Sequence, residues 1–272
     1  MQPVVALSIA GSDSGGGAGI QADIRSMNAF GVFATTAVTA ITAQNTVGVD
    51  AIVNIEPDVV EAQVRSVVTD FDVRATKTGM LAQASTVRRV GALAREGLLP
   101  HLVVDPVLVA TSGDALMAEG GIEAYQYDLF PFAEIVTPNL REAAVLCGVD
   151  AREIQSIDDL EALARTLLAM GPAYVLVKGG HFLHGPHSDR SPDLLLSRDE
   201  LVVLDGPRVA TSNDHGTGCS LSSALAAGLA LGRTAYDATR DAKSFVLAAL
   251  EGGATWRLGE GRGPIDHLGW GE

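Results

Sequence analysis

Cysteine is nearly absent: only Cys147 and Cys219 occur in 272 residues. Two cysteines, the first in an apolar, helix-like context, argue against a planned disulfide and for a reducing compartment, so the cytoplasm is expected. Basic residues are scarce too, with 19 Lys and Arg against 33 Asp and Glu and a net charge of −14. That sign repels nucleic acids and anionic membranes, so neither is expected as a partner, and an anionic substrate needs locally concentrated donors. No uncharged apolar span reaches the length of a membrane helix. The N-terminus has no basic stretch, and Val4 to Ala10 is too short for a signal-peptide core. Repeats, low-complexity linkers and composition shifts are also missing, so nothing cuts residues 1–272 in two, and one α/β domain is expected.

What is present alternates. Val4–Ala10, Val73–Thr78, Leu102–Asp105, Ile135–Thr137 and Tyr174–Lys178 are short β-branched or aliphatic runs that read as strands. Ala18–Phe30, Ala84–Glu96, Asn139–Cys147, Ile157–Met170, Ser220–Leu231 and Ala235–Glu251 read as helices. Such alternation predicts a mostly parallel sheet covered by helices on both faces, with ligands at the carboxyl ends of the strands. Phe33–Gln44 with Val49–Ile55 reads as further extended structure, a lid or a sheet edge. Leu194–Ser197 with Leu201–Leu204 reads as a hairpin, and His181–Pro192 as a flap.

The segment Asn213-Asp-His-Gly-Thr-Gly-Cys219 carries the most chemistry. Two glycines let backbone N–H groups converge, and a helix starting there adds the positive end of its dipole, which suits a phosphate. Cys219 falls on the first turn, where thiolate is favoured over thiol. A glycine turn capping a buried helix with an inert cysteine is the competing reading.

Other segments are individually ambiguous. Gly11–Gly19 fits neither the dinucleotide fingerprint nor a P-loop; it is a substrate loop or a flexible helix cap. Gln44 could present a carbonyl and an amide to a heteroaromatic ring, or belong to a turn with Asn45 and Thr46. Asp105 ends a buried strand, and Asn139 and Glu142 lie three residues apart after Pro138; together they could hold a hydrated Mg²⁺, or the pair could be a capping box. Lys178 before two glycines could reach phosphate as a point charge or snorkel to solvent. His181, His184 and His187 read as solvated loop residues rather than a zinc site.

In this order the segments resemble the ribokinase superfamily, and within it the hydroxymethylpyrimidine/phosphomethylpyrimidine kinases. The resemblance spans nearly the whole chain: Ala10-Gly-Ser-Asp-Ser-Gly-Gly-Gly-Ala-Gly-Ile-Gln-Ala-Asp23, Ala40-Ile-Thr-Ala-Gln-Asn-Thr46, Lys77-Thr-Gly-Met80, Val104-Asp-Pro-Val107, Thr137-Pro-Asn-Leu-Arg-Glu142, Val177-Lys-Gly-Gly-His181 and His215-Gly-Thr-Gly-Cys219. It implies a ribokinase-like three-layer α/β sandwich, a homodimer, and ATP with Mg²⁺. On that model Gly11, Asp23, Gln44, Met80 and Val107 would hold the pyrimidine. Asp105, Asn139 and Glu142 would organise Mg²⁺; Lys178, with Asn139 and Thr217, would meet the nucleotide. Gly216 and Gly218 would form the anion hole, and Cys219 would stand where sugar kinases carry an aspartate base. Asp214 departs from the family, which commonly has Asn-Thr-His before Gly-Thr-Gly-Cys and so Thr at this position, and a carboxylate near phosphates repels them unless it faces a cation or solvent. The implied reaction is phosphorylation of 4-amino-5-hydroxymethyl-2-methylpyrimidine and then of its monophosphate. The alternatives are a pyridoxal or pyridoxine kinase, a non-catalytic ligand-binding protein of the same fold, and a thiol enzyme pairing Cys219 with His215.

Overall fold

Val103 and Val104 are adjacent in one strand, yet each is fully buried in a different core. Side chains alternate across a strand, so a run apolar at every position fits only a sheet covered on both faces. Ile135 and Val136 divide in the same way, as do Leu176 and its neighbours Val175 and Val177.

The computed structural model describes residues 2–108, 117, 119–179 and 189–271. Among them lie the strands β1 (Val5–Asp13), β2 (Phe33–Gln44), β3 (Val49–Asn54), β4 (Val73–Thr78), β5 (Leu102–Val104), β6 (Ile135–Val136), β7 (Tyr174–Val177), β8 (Asp193–Leu196) and β9 (Leu201–Leu204). The helices are α1 (Gly19–Ala29), α2 (Pro57–Val68), α3 (Ala84–Arg95), α4 (Gly121–Ala124), α5 (Leu140–Cys147), α6 (Ile157–Leu168), α7 (Thr217–Ala230) and α8 (Ala235–Gly253). One sheet runs β3-β2-β1-β4-β5-β6-β7-β8-β9. Its centre, β2 to β7, is parallel, while β3, β8 and β9 join antiparallel at the edges. Helices α1, α7 and α8 cover one face; α2, α3, α5 and α6 cover the other.

The predicted elements recur with ends shifted by a few residues. Phe33–Gln44 is an interior strand rather than a lid, and β3 is the edge. Helix α2 escaped prediction because only Val60 and Val64 of it are buried, a narrow stripe; Pro57 at its first turn was the available signal. The proposed flap histidines His181, His184 and His187 lie outside the described residues, as does 109–116. Among the described residues no helix is long and apolar enough to cross a membrane.

Candidate active site

The start of α7 lies over the carboxyl edge of the parallel strands. Residues Ser220 to Leu229 of α7 are all buried, which only small and apolar side chains permit so close to the sheet. Its N-cap, Gly216, sits at φ +85°, and a Cβ there would come within 1.8 Å of the Gly17 carbonyl oxygen. Only glycine fits. A Cβ on Gly218 would lie 3.2 Å from Lys178 Nζ and 3.9 Å from Asp105 Oδ2, so this first turn opens directly onto that ion pair. The Gly218 and Cys219 amides have no acceptor within the helix and face the same end. The arrangement fits an anion such as a nucleotide phosphate.

Asp105 is 1% exposed and follows β5; Lys178 follows β7. Lys178 Nζ donates to Asp105 Oδ1 at 2.9 Å, and the Thr137 and Ser222 hydroxyls donate to the same carboxylate at 3.3 and 3.1 Å. Burial works to raise the Asp105 pKa, but Lys178 and then Lys77 outweigh it and hold the group ionised. Asn139 and Glu142 do form the capping box, with bonds of 2.8 and 2.9 Å. Both readings of that pair therefore meet, because Glu142 also lies close enough to Asp105 and Lys178 to feel their charges. Burial, followed by Lys178 pulling down and Asp105 pushing up, leaves the Glu142 carboxyl raised to about 7. Two acidic side chains with one ammonium between them are a hard-oxygen set that a divalent cation would balance. Among the described residues no three His, Cys, Asp or Glu side chains are placed to grip a metal ion directly. The donor set fits a hard cation that keeps several of its waters.

The residues expected to hold a pyrimidine ring divide. Gly11 faces Met80: a Cβ on Gly11 would meet the Met80 methyl at 2.6 Å. Gln44 ends β2, its side-chain oxygen accepting from the Thr42 hydroxyl at 3.1 Å, while the turn runs from Asn45 through Thr46 to Gly48, closed by the Asn45 side chain. A cavity of about 210 Å³ opens beside Gln44, lined also by Asn45, His215 and Arg262; Gly11, Met80 and Val107 do not line it. A larger one, about 570 Å³, opens at the opposite, amino edge of the strands and contains no predicted site residue. Asp23 is a correction. It is fully buried, and its carboxylate is spent on Lys77, Ser8 and Ser223, so it lies behind the site rather than lining it.

The glycine loop is neither a phosphate cradle nor slack. Asp13, 3% exposed, collects the amides of Gly15, Gly17 and Ala18 and the His215 Nε2 at 2.9 Å. Burial would raise the Asp13 pKa, but the His215 hydrogen bond and these amides hold it low. The loop is thereby locked to the turn before α7, a link the sequence reading missed. His215 pairs with Asp13 through Nε2, and among the described residues no hydrogen bond joins it to Cys219, as a thiol dyad would require.

Cys219 is a second correction. It keeps part of its surface open, yet burial raises its thiol to about 11, with Lys77 pulling down and Asp23 and Asp105 pushing up. The field of the helix terminus does not win, and the resting group is a thiol. Thr217 donates its hydroxyl to the Asp214 carbonyl at 2.6 Å. Asp214, the departure from the family pattern, is neutralised by a two-point pair with Arg262, whose Nε donates at 2.8 Å.

Similarity to known proteins now has a geometry to attach to. A family model described as phosphomethylpyrimidine kinase matches residues 13–266. The chain belongs to the phosphomethylpyrimidine kinase family. It is 46% identical over 267 residues to a hydroxymethylpyrimidine/phosphomethylpyrimidine kinase of Rhizobium meliloti, covering 97% of each chain. Among solved structures, the Staphylococcus aureus pyridoxal kinase in complex with AMP-PCP and pyridoxal superposes with TM-score 0.88 at 32% identity, covering 99% of this chain and 95% of that one. The Clostridium difficile phosphomethylpyrimidine kinase superposes with TM-score 0.79 at 34% identity, covering 91% and 99%. The ribokinase-like sandwich expected from the sequence holds for this family member.

Proposed function

We propose that this chain transfers the terminal phosphoryl group of ATP to 4-amino-5-hydroxymethyl-2-methylpyrimidine and then to its monophosphate, in thiamine biosynthesis. Its near-full-length identity of 46% to a kinase named for both substrates carries the reading. The AMP-PCP complex of a structural neighbour supports ATP as donor. Pyridoxal is the second reading, favoured by the higher superposition on pyridoxal kinases. Superposition reports the fold, whereas ring choice rests on side chains, and Gln44 and Met80 lean to the aminopyrimidine.

In this reading Gln44 reads the ring, with Gly11, Met80 and Val107 as walls, and the hydroxymethyl group points at the start of α7. The glycine turn at the start of α7 presents the Gly218 and Cys219 amides to the transferring phosphoryl group, and Lys178 adds a fixed positive charge. Asp105 and Glu142, with Asn139, would hold Mg²⁺, which when bound supplies neutralisation of the phosphate charge. Cys219 flanks the acceptor hydroxyl. As a thiol at rest it accepts a proton only through its small thiolate fraction. The second step needs no base, because its nucleophile is a phosphate oxygen already ionised near neutral pH.

The exposed apolar side chains Ile41, Val47, Ile52 and Val53 at the β2–β3 edge support a homodimer. The paucity of cysteine supports a cytoplasmic site. ADP release measured with the alcohol and with its monophosphate tests the activity; release with neither would overturn it.

A further inference from the structure

Lys77 is the one fully buried lysine described, an inward-facing charge in the buried half of strand β4, between Thr76 and Thr78. Register places it opposite Ser8 of β1. Its ammonium lies 2.9 and 3.0 Å from the two carboxylate oxygens of Asp23 on α1. That carboxylate also accepts from Ser8 at 2.5 Å and from Ser223 of α7 at 2.6 Å. Two strands and two helices therefore meet at one ion pair with no water-facing surface. Burying two charges costs several kcal/mol each, and apolar residues of similar size would often stabilise the fold as well or better. Stability alone is a weak reason for this pair to exist.

Its position supplies a better one. Ser223 is four residues after Cys219, so both project from the same face of α7. The neighbouring Ser222 donates to Asp105, the partner of Lys178. The second turn of α7 is therefore pinned twice, by Ser222 to the Lys178–Asp105 pair and by Ser223 to the Lys77–Asp23 pair. A Cβ on Gly79, just beyond β4, would sit 2.8 Å from Lys77 Nζ, so the ammonium reaches up to the carboxyl edge of the sheet, beneath the anion hole.

We infer that Lys77 is a positioning residue: paired with Asp23, it fixes the second turn of α7 through Ser223 and sets a buried positive charge behind Cys219. The inference deepens the reading that Cys219 lies at the phosphoryl-transfer centre and rests on it. The charged groups that act on the thiol include Lys77, Asp23, Asp105 and Lys178, and of the buried pair Lys77 has the stronger pull. A structural pair would leave thiol reactivity alone; a charge behind the sulfur changes it with a definite sign.

The test is the rate of Cys219 alkylation by iodoacetamide at pH 8, followed by intact mass in a C147S background. D23N removes the opposing carboxylate and should speed alkylation about three- to tenfold, while D23N/K77M removes the stronger ammonium too and should slow it about three- to tenfold below wild type. Both variants at the wild-type rate, or both shifted the same way, overturn the inference. Should D23N lose its cooperative melt, the double variant decides alone, since it leaves no unpaired charge; a rate at or above wild type then overturns it. Alkylation needs no substrate, so these outcomes stand apart from the kinase reading, which fails separately if ADP is released with neither pyrimidine.

Discussion

Lys178 reaches across β6 to place its ammonium 2.9 Å from the Asp105 carboxylate, joining the ends of two strands that do not touch each other. The pair lies under Gly218, so the cation that would meet phosphate is already neutralised and held before any ligand arrives. Replacing Lys178 by Met should lower both phosphorylation steps about 10²–10³-fold, as for loss of one preorganised donor. It should also destabilise the fold by about 3–5 kcal/mol, because Asp105 is left buried and unpaired. D105N/K178M should recover most of that stability in urea unfolding and none of the turnover. Recovery of turnover would remove the pair from the mechanism.

Glu142 makes stability depend on pH. Its folded pKa, about 7, lies above the ordinary 4.5. The protonated form is therefore the one the apo fold prefers: the contribution is fully present below pH 4.5 and is lost as pH rises through 7. The loss is at most about 3 kcal/mol. Glu142→Gln keeps the cap and should flatten this dependence, gaining on wild type at pH 8 and matching it at pH 4 in urea unfolding without Mg²⁺. Equal pH dependence in both proteins would contradict the assignment.

Cys219 separates the two chemical steps. With its thiol at about 11, a base role predicts single-turnover rates for the alcohol that climb about tenfold per pH unit between pH 8 and 10, with the monophosphate step flat. Cys219→Ala should then slow the first step about 10²–10⁴-fold and the second far less. Equal losses in the two steps would leave Cys219 as a wall of the pocket.

The sheet was legible because β5, β6 and β7 are apolar on both faces, as Val103 and Val104 illustrate. Asp105 and Lys178 were legible as polar residues ending such runs, and Gly216 as a position that only glycine tolerates. Asp23 was misplaced because spacing does not tell which face of a helix meets the ligand. Its neighbours Ala22, Ser26 and Met27 are all buried with it, the stripe that marks an inward-facing carboxylate. Lys77 carried a similar signal, sharing the buried face of β4 with Ala75. The Asp13–His215 link joins residues 202 apart in the chain, and no local pattern could announce it.

The β3 edge tests the assembly. Val53, 62% exposed on that edge, should lie in the contact between two copies. Val53→Lys should weaken self-association at least tenfold, about 1.4 kcal/mol, in light scattering. A wild-type protein that is monomeric at micromolar concentration would contradict the homodimer.

The central claim is the choice of ring, and competition decides it most directly. The wild-type enzyme, given ATP, Mg²⁺ and equal amounts of 4-amino-5-hydroxymethyl-2-methylpyrimidine and pyridoxal, should phosphorylate the pyrimidine with the higher kcat/KM and carry its monophosphate on to the pyrophosphate. A higher kcat/KM for pyridoxal, with no pyrophosphate formed, would contradict it.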